Sequence, residues 1–518
     1  MKKIYLFVLI TTLFVSSGFA GGLLTNTNQS ASYIRMPIRD VSLGLDAVYY
    51  NPAGLVKLEN GFYFSLNNQM IKQNKEVTNS YVYLNNELFK GSINVPVFPG
   101  AYFAYKTGKL ALSLGINPVG GGGGAIFDTG LPSFETPVSD LVPLMAAKGF
   151  GVTSYSSDVY FEGTSVFWGL QAGISYAVND MFSLYAGGRY VIAKNTYGGY
   201  IRDIMINPVF GELTGTTMTP ATTFFSDLAQ GPTGGAASIQ PLIDAGVGTF
   251  TFDQAEAGGI IDAATRGMLE GGLLALGIDP TGMTIEQAQA AYQGAADELN
   301  GFAASTADIE VDAEQSGTGF APIFGAHFAL LDNKLNIGLK YELKTEIELE
   351  NSTVIDGSGL FPDGVITHSD MPAMLSIGLS YQAAENLTAT FGYHLYFDDD
   401  VDWGEDKTVD ENYYEFGFGL EYNITDKILV SGGFLRAETG AGEGYNSDMT
   451  FSLSSNTIGF GGAYKITPAL TVNLGMLNTT YEEGEIFLDY PTTGLNNVKE
   501  SYYKDNVIFS IGFDYKLF

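Results

Sequence analysis

Fourteen segments of this chain alternate apolar and polar side chains over roughly ten residues, the pattern of β-strands whose two faces meet different surroundings. In the third segment, Leu110, Leu112 and Leu114 share one face, while small or polar residues occupy the other. The segments span residues 61–68, 101–106, 110–117, 165–176, 182–196, 324–331, 334–348, 375–381, 387–396, 414–422, 428–436, 458–464, 470–476 and 507–518.

The connections between these segments are short and long in strict alternation. Short turns fall near residues 107, 179, 332, 384, 425 and 467. A soluble β-sandwich also alternates side chains, but it does not need long loops at one end only. Turns at one end and long loops at the other are typical of a membrane barrel. The sequence therefore predicts an all-β fold, a transmembrane up-and-down antiparallel β-barrel of about 14 strands at 59–518.

The N-terminus has the pattern of a secretory signal, with Lys2 and Lys3, an apolar core and the small-x-small site Gly18-Phe19-Ala20. Cleavage is predicted after Ala20, giving a signal peptide at 1–20. No later apolar run reaches the ~20 residues of a membrane-spanning helix. The formal net charge of −32 argues against a nucleic-acid partner. With no Cys, the chain needs no disulfide framework.

The stretch Asp46–Leu55 contains Asn51-Pro52-Ala53-Gly54, whose Pro and Gly are turn residues between apolar neighbours. Such a stretch before the first strand predicts a compact plug, or else an ordinary turn. Together with Asn28-Gln29-Ser30-Ala31 and Arg35-Met36-Pro37, it resembles the N-terminal hatch of the FadL-type outer-membrane transporters, which import long-chain fatty acids and other hydrophobic molecules. The resemblance implies a hatch at 21–58 in which Asn51, Pro52 and Ala53 gate the lumen.

Further properties follow from the resemblance. It implies a monomer in the bacterial outer membrane, in contact with its lipid and lipopolysaccharide. The terminal aromatic Phe518 resembles the signal that barrel-assembly machinery recognises, although it is out of phase with the apolar face of its strand. Uptake would be passive, with no cofactor and no energy source.

The third strand ends in Gly115, Asn117 and Pro118, followed by five glycines at 120–124. Pro cannot donate to a ladder, and a Gly run weakens pairing. In the family the corresponding strand is kinked and opens a lateral gap for ligand exit. The alternative is that the strand has already become an outer loop.

Arg189, Lys194 and Lys340 are the candidate partners for a carboxylate head group, as in the fatty-acid carriers of the family. Alternation turns Arg189 and Lys340 inward, while a bulge would decide the direction of Lys194. Such cations instead often balance neighbouring acids, here Glu342. A neutral hydrophobic substrate stays open.

The longest connection, about 201–318, is predicted to be an extracellular loop with helices at 253–276 and 285–299. Thr284 and Gln287 form a capping box and Gly301 suits the end of the second helix. In the family, such loops form an apolar groove that captures substrate. The alternative is that these helices only pack on each other and on the barrel rim.

Nothing in the sequence predicts an enzyme or a metal site. The acidic run 398–404 lacks the Gly position and the helices of an EF-hand, and the three His residues are far apart. Two functions besides uptake stay open: a surface adhesin that binds through the long loop, and a diffusion porin for polar solutes.

Overall fold

The computed structural model describes residues 23–403 and 408–517. The predicted signal peptide at 1–20, Gly404 at the end of the acidic run and Phe518 lie outside these residues. Two compact units are present among them. One consists of Phe134–Asp158 and Ile201–Ile309, and the other contains the barrel and the N-terminal residues from 23 onward.

Within the described residues, fourteen antiparallel strands follow one another around a closed barrel, which confirms the predicted fold class. Closure comes from the pairing of the last strand with the first, in register from Tyr63↔Lys516 to Asn79↔Glu500. The strands are β1 Gly61–Asn79, β2 Leu88–Thr107, β3 Leu110–Phe127, β4 Tyr155–Ala177, β5 Phe182–Ile206, β6 Ile309–Leu330, β7 Leu335–Glu342, β8 Met374–Ala384, β9 Leu387–Tyr396, β10 Tyr414–Asn423, β11 Ile428–Glu438, β12 Ser455–Thr467, β13 Leu470–Tyr481 and β14 Leu495–Lys516.

Shorter strands lie outside this set. Glu348–Asp356 pairs with β6 beyond β7, and Gly484–Tyr490 pairs with β14. The others are Val209–Phe210, Leu213–Thr214, Thr219–Pro220 and Ile366–His368.

The strands present apolar side chains outward and polar side chains inward. On β4, Leu170 and Ile174 are exposed, whereas Gln171 and Ser175 are buried. A soluble barrel has the opposite pattern, because its apolar residues fill the core. Apolar residues on the outside suit contact with lipid, so this pattern is that of a transmembrane barrel.

Several strands are longer than the sequence predicted. The polar stretch before Phe98 is not irregular, because β1 continues to Asn79 and β2 begins at Leu88. Polar side chains such as Gln69, Gln73 and Lys75 face inward there and are buried. Because these inward faces mix polar residues with apolar ones such as Ile71 and Phe89, apolar and polar residues do not alternate regularly, and the sequence missed these outer halves.

Residues 23–58 lie inside the barrel and are called the lumenal segment below. It contains α1 Ala31–Arg35, α2 Ala47–Tyr50 and the 3-10 helix Pro52–Lys57. Inward-facing glycines admit its backbone: a Cβ at Gly338 would lie 2.3 Å from the Asp40 carbonyl oxygen, and one at Gly475 would lie 2.7 Å from the Arg35 nitrogen. Part of the high Gly content thus serves close approach of this segment to the wall.

The other unit is helical. Pro132–Ser139 (α3) and Leu141–Ala147 (α4) precede β4. Between β5 and β6 lie α5 Ala221–Asp244, α6 Phe252–Ala257, α7 Ala263–Ala275 and α8 Ile285–Ser305. Among the described residues, no helix is long and apolar enough to cross a membrane.

The helix predictions need three corrections. The helix predicted at 253–276 is divided into α6 and α7, and α8 begins at the predicted capping box of Thr284 and Gln287 but continues past Gly301. The sequence missed α5 entirely, because Pro232 and its neighbouring glycines predict a break. Packing overrides that local preference: Pro232 is buried and α5 lies along α8.

Candidate functional site

The Asn51-Pro52-Ala53 motif starts the 3-10 helix of the lumenal segment, with Pro52 at its first position, where a missing N–H costs nothing. All three residues are buried. The Asn51 amide nitrogen donates to the Ser42 carbonyl oxygen at 3.1 Å and lies 3.1 Å from Nδ1 of His327 on β6. Asn51 therefore ties the motif both to its own segment and to the wall.

The barrel wall holds this motif through backbone carbonyls. The Ser175 hydroxyl donates to the Pro52 oxygen at 2.6 Å, and the Ser183 hydroxyl donates to the Ala53 oxygen at 2.7 Å. Both serines project inward from strands, β4 and β5. These bonds need a fixed backbone conformation at 52–53, which the Pro ring favours.

Arg189 and Lys340 lie together, on either side of Glu342. The Arg189 guanidinium contacts the Glu342 carboxylate at 2.5 and 3.1 Å, and the Lys340 Nζ contacts it at 2.6 Å. Lys340 also donates to the Tyr49 carbonyl oxygen at 2.9 Å. Both cations lie over the Tyr49 ring, at 4.9 Å for Arg189 and 4.5 Å for Lys340.

This buried cluster joins β5 and β7 to the lumenal segment. The three charged side chains are each exposed by 6 % or less. Their charges are therefore stabilised by one another and not by contact with water. Arg189 and Lys340 thus neutralise an acid of the protein, which is the alternative role given for these cations in the sequence analysis. It is called the Glu342 clamp below.

Lys194 is not part of the clamp. Its Nζ pairs with Glu314 at 2.7 Å, and both side chains are about half exposed. Buried and exposed side chains alternate without interruption from Arg189 to Asn195 on β5. Lys194 therefore faces outward, whereas Arg189 faces inward. Lys194 and the other two candidates therefore do not form one site.

A second set of charges, which sequence reasoning missed, lies within the lumenal segment. Arg39 binds Asp46 at 2.9 Å, and the hydroxyls of Ser42 and Ser30 donate to the same carboxylate. Burial opposes ionisation of Asp46, but Arg39 and these hydroxyls outweigh it and lower the pKa of Asp46. Asp46 therefore stays ionised, and it fixes the turn that precedes α2.

The barrel wall completes this network. Glu421 on β10 binds Arg35 at 2.8 Å. On β9, His394 bridges Asp40 of the lumenal segment, at 2.5 Å, and Glu415 of β10, at 2.9 Å. Arg35 and Glu421, like Asp40 and His394, are more than 350 positions apart in sequence, so only the closed barrel brings them together.

Gly115, Asn117 and Pro118 lie where β3 leaves β2. The β2–β3 ladder breaks between Ser92↔Ile126 and Ala101↔Ile116. On the other side β3 stays paired with β4, with register shifts next to Pro118. The third strand thus does not end at Pro118: it continues to Phe127, with a gap in its pairing to β2.

The lumenal segment supplies part of the missing pairing. Asn26 donates its backbone N–H to the Val119 oxygen at 2.8 Å, and Gly121 donates to the Leu24 oxygen at 3.0 Å. Gly121 has φ +82°, and a Cβ there would lie 2.6 Å from the Ser165 oxygen. A glycine is required at this bend.

Gln29 links the lumenal segment to the same bend through its side chain. Its Nε2 donates to the Pro118 oxygen at 2.7 Å, and its Oε1 accepts from the Asn117 amide at 2.6 Å. All these groups are buried. The sequence contained no signal for this role, because an isolated Gln has no fixed partner.

The helical unit contains an open and predominantly apolar cavity of about 1060 Å³. Its lining comes from α4, α5, α7 and α8 and includes Leu274, Met268 and Phe302. Leu274 and Met268 are about 60 % exposed, although both are apolar. At the same cavity, Lys148 binds Glu298 at 2.5 Å. A cavity of this size and lining suits a hydrophobic solute.

The described part of the acidic run, residues 398–403, does not form a metal site. Asp398–Asp400 form a single 3-10 turn, and no group of three or more potential ligands occurs among the described residues.

Among the solved structures that are similar to this chain, two are described here. One is a FadL homologue from Pseudomonas aeruginosa, with a TM-score of 0.59 and 12% sequence identity over 96% of this chain and 100% of that chain. The other is the toluene transporter TodX from P. putida, with a TM-score of 0.50 and 13% identity over 92% of this chain and 94% of that chain. No protein-family model and no curated protein matches the sequence.

The chain has the FadL-type fold. That fold covers nearly the full length of both proteins. At such low identity the likeness concerns the course of the backbone, not the substrate.

Proposed function

We propose that this protein is a passive importer of hydrophobic molecules in the bacterial outer membrane, with long-chain fatty acids as the leading substrate class. An apolar solute crosses the polar lipopolysaccharide layer poorly. The protein would capture it outside, bind it within the barrel and release it sideways into the bilayer after the lumenal segment moves.

The observation that carries this proposal is the break in the β2–β3 ladder. In a closed barrel every strand normally pairs with both neighbours, because unpaired backbone groups in a membrane are costly. Here residues 93–100 and 117–125 lack mutual register pairs within the described chain, and the lumenal segment is hydrogen-bonded to the bend instead. Movement of that segment would break these hydrogen bonds and so open the gap between β2 and β3.

The proposal is tested by uptake of labelled oleate in cells that lack their own fatty-acid transporter and express this protein. Uptake above the vector control is expected, with surface assembly measured in parallel. No uptake of oleate from an assembled barrel would remove fatty acids as substrates, and labelled toluene would then test neutral hydrocarbons. Steady conductance in a planar bilayer would favour the porin, and adhesion lost on deletion of 207–308 would favour the adhesin.

The cavity of the helical unit is proposed as the capture site. Replacing Leu274 or Met268 with Glu places a charge in the apolar lining, which should lower oleate uptake severalfold at low concentration and little at saturation. Ile260→Glu is the matched control, because Ile260 is an exposed apolar residue of the same unit outside the cavity lining. Equal uptake by all three variants at every concentration would contradict a capture role.

A further inference from the structure

Where β3 bends, its backbone approaches a side chain from a distant part of the barrel wall. A Cβ at Gly120 would lie 3.1 Å from the Cε of Met371 and 3.4 Å from the Cβ of Phe167. Phe167 is on β4, the neighbour of β3. Met371 lies just before β8, which pairs with β7 and β9. Because β3 and β8 are not neighbours in the barrel, the contact between Gly120 and Met371 crosses the lumen.

The backbone of Met371 is fixed to the wall. Thr345, just after β7, and Met371, just before β8, exchange two backbone hydrogen bonds, of 3.0 and 2.9 Å. One residue earlier, the Asp370 carboxylate accepts from the Ile347 N–H at 2.9 Å. Met371 therefore projects from a held backbone, and its side chain reaches the bend in β3.

Met371 belongs to a buried apolar cluster on the lumenal side of the gap between β2 and β3. Leu24 of the lumenal segment, Val119 next to the bend and Phe167 are members of the same cluster. These four residues are each exposed by 7 % or less. They separate the lumen from the gap, so an apolar solute that leaves sideways has to pass them.

Methionine suits a movable part of such a cluster. Its unbranched side chain has three rotatable bonds, so it can change its rotamer while its backbone stays paired. Gly120 leaves the space for it, because a Cβ there would crowd the Met371 methyl group and would lie 2.9 Å from the Leu24 carbonyl oxygen. A β-branched side chain of similar size would fill the same space but is stiff at χ1.

We propose that Met371 is the inner gate of the gap between β2 and β3, and that the volume of its side chain limits the width of the solutes that pass. The side chain covers the lumenal side of the bend and rotates away when an apolar solute enters. This inference rests on the proposed uptake function and assigns control of the exit route to one residue.

The gate acts in addition to the lumenal segment. Asn26 and Gln29 bind the bend through hydrogen bonds, whereas Met371 approaches it with its terminal methyl group. Van der Waals contacts of a methyl group are individually weak. Met371 can therefore leave the bend while the hydrogen bonds of the lumenal segment stay in place.

The experiment measures uptake of labelled oleate, which is slender, and of pyrene, which is wide, in cells that lack their own fatty-acid transporter. The variants are Met371→Ala and Met371→Ile, and surface assembly is measured for each. Met374→Ala and Met374→Ile are the matched controls. Met374 is also a buried methionine, three positions further along the same strand direction, but it belongs to a separate apolar cluster with Tyr396.

The two Met371 variants should change uptake in opposite directions. Met371→Ala removes the gate and should raise pyrene uptake severalfold without lowering oleate uptake. Met371→Ile keeps the volume but loses the rotational freedom, so uptake of both solutes should fall severalfold. A residue that only fills the core gives the reverse order, because Ala leaves a void and Ile does not. That reverse order, unchanged uptake in both variants, or equal changes in the Met374 variants overturns the proposal.

Hydrogen exchange in the purified full-length protein tests the gate without a substrate. Peptides that contain residues 119–122 should exchange about 10-fold or more faster in Met371→Ala, because the void uncovers the bend. Met371→Ile and Met374→Ala should keep the native rate. If the native protein takes up neither solute, the uptake function fails, and faster exchange in Met371→Ala would still support closure of the gap by Met371. Native exchange at the bend in Met371→Ala overturns the gate.

Discussion

Replacing Glu342 with Gln is expected to weaken the attachment of the lumenal segment by about 3–5 kcal/mol, the usual cost of removing one partner from a buried ionic cluster. Arg189 and Lys340 would then face each other without an acid between them, next to the Tyr49 ring. The barrel ladder itself is untouched. The loss should therefore appear as local release of the lumenal segment, not as unfolding of the barrel.

Hydrogen exchange followed by mass spectrometry measures this release. Exchange in peptides that contain Tyr49 should be about 100-fold faster or more in Glu342→Gln, since 1.4 kcal/mol corresponds to tenfold. Glu314→Gln is the control: it removes the partner of Lys194 in an exposed pair, worth ~1 kcal/mol or less. Native exchange in both variants would show that the clamp does not hold the segment.

A triple variant distinguishes attachment by charge from attachment by packing. Arg189→Met, Lys340→Met and Glu342→Leu together replace the cluster with apolar side chains of similar size. Such replacements are often neutral or stabilising. Slow exchange near Tyr49 is therefore expected to return in this variant, although Glu342→Gln alone accelerates it.

The barrel could be predicted from the sequence because its signal is local. Alternation along Leu335–Glu342 requires one polar and one apolar face, and the length of each connection decides which ends meet. The outer halves of β1 and β2 were not predicted because their outward faces are largely polar and their inward faces mix apolar residues such as Ile71 with polar residues such as Gln73. The helix α5 was not predicted because its local sequence indicates a break at Pro232. Burial of residues such as Pro232 stabilises the helix, and a local pattern does not show burial.

The candidate site was less predictable, because its contacts join distant parts of the chain. Alternation is enough to turn Arg189 inward, but it cannot show that Glu342 is its partner. His394 and Asp40 are 354 positions apart and meet only when the barrel closes around the lumenal segment.

Replacing Gln29 with Ala is expected to separate the lumenal segment from the bend in β3. The change leaves the Asn117 amide and the Pro118 carbonyl oxygen buried without their partner, at a cost of about 1–3 kcal/mol each. If movement of the lumenal segment opens the gap between β2 and β3, the hydrogen bonds of Gln29 transmit that movement to β3. Oleate uptake should then fall about 10-fold at an unchanged surface level, while amide exchange near Pro118 becomes faster.

Gln69→Ala provides the matched control for this last variant. Gln69 on β1 also exchanges amide hydrogen bonds with the lumenal segment, at Asn28, but it does not contact the bend. Its loss should loosen the segment to a similar degree and leave most of the uptake intact. An equal fall in both variants would mean that general loosening of the segment limits uptake. A fall in Gln29→Ala alone would place the coupling between the lumenal segment and the gap at Gln29.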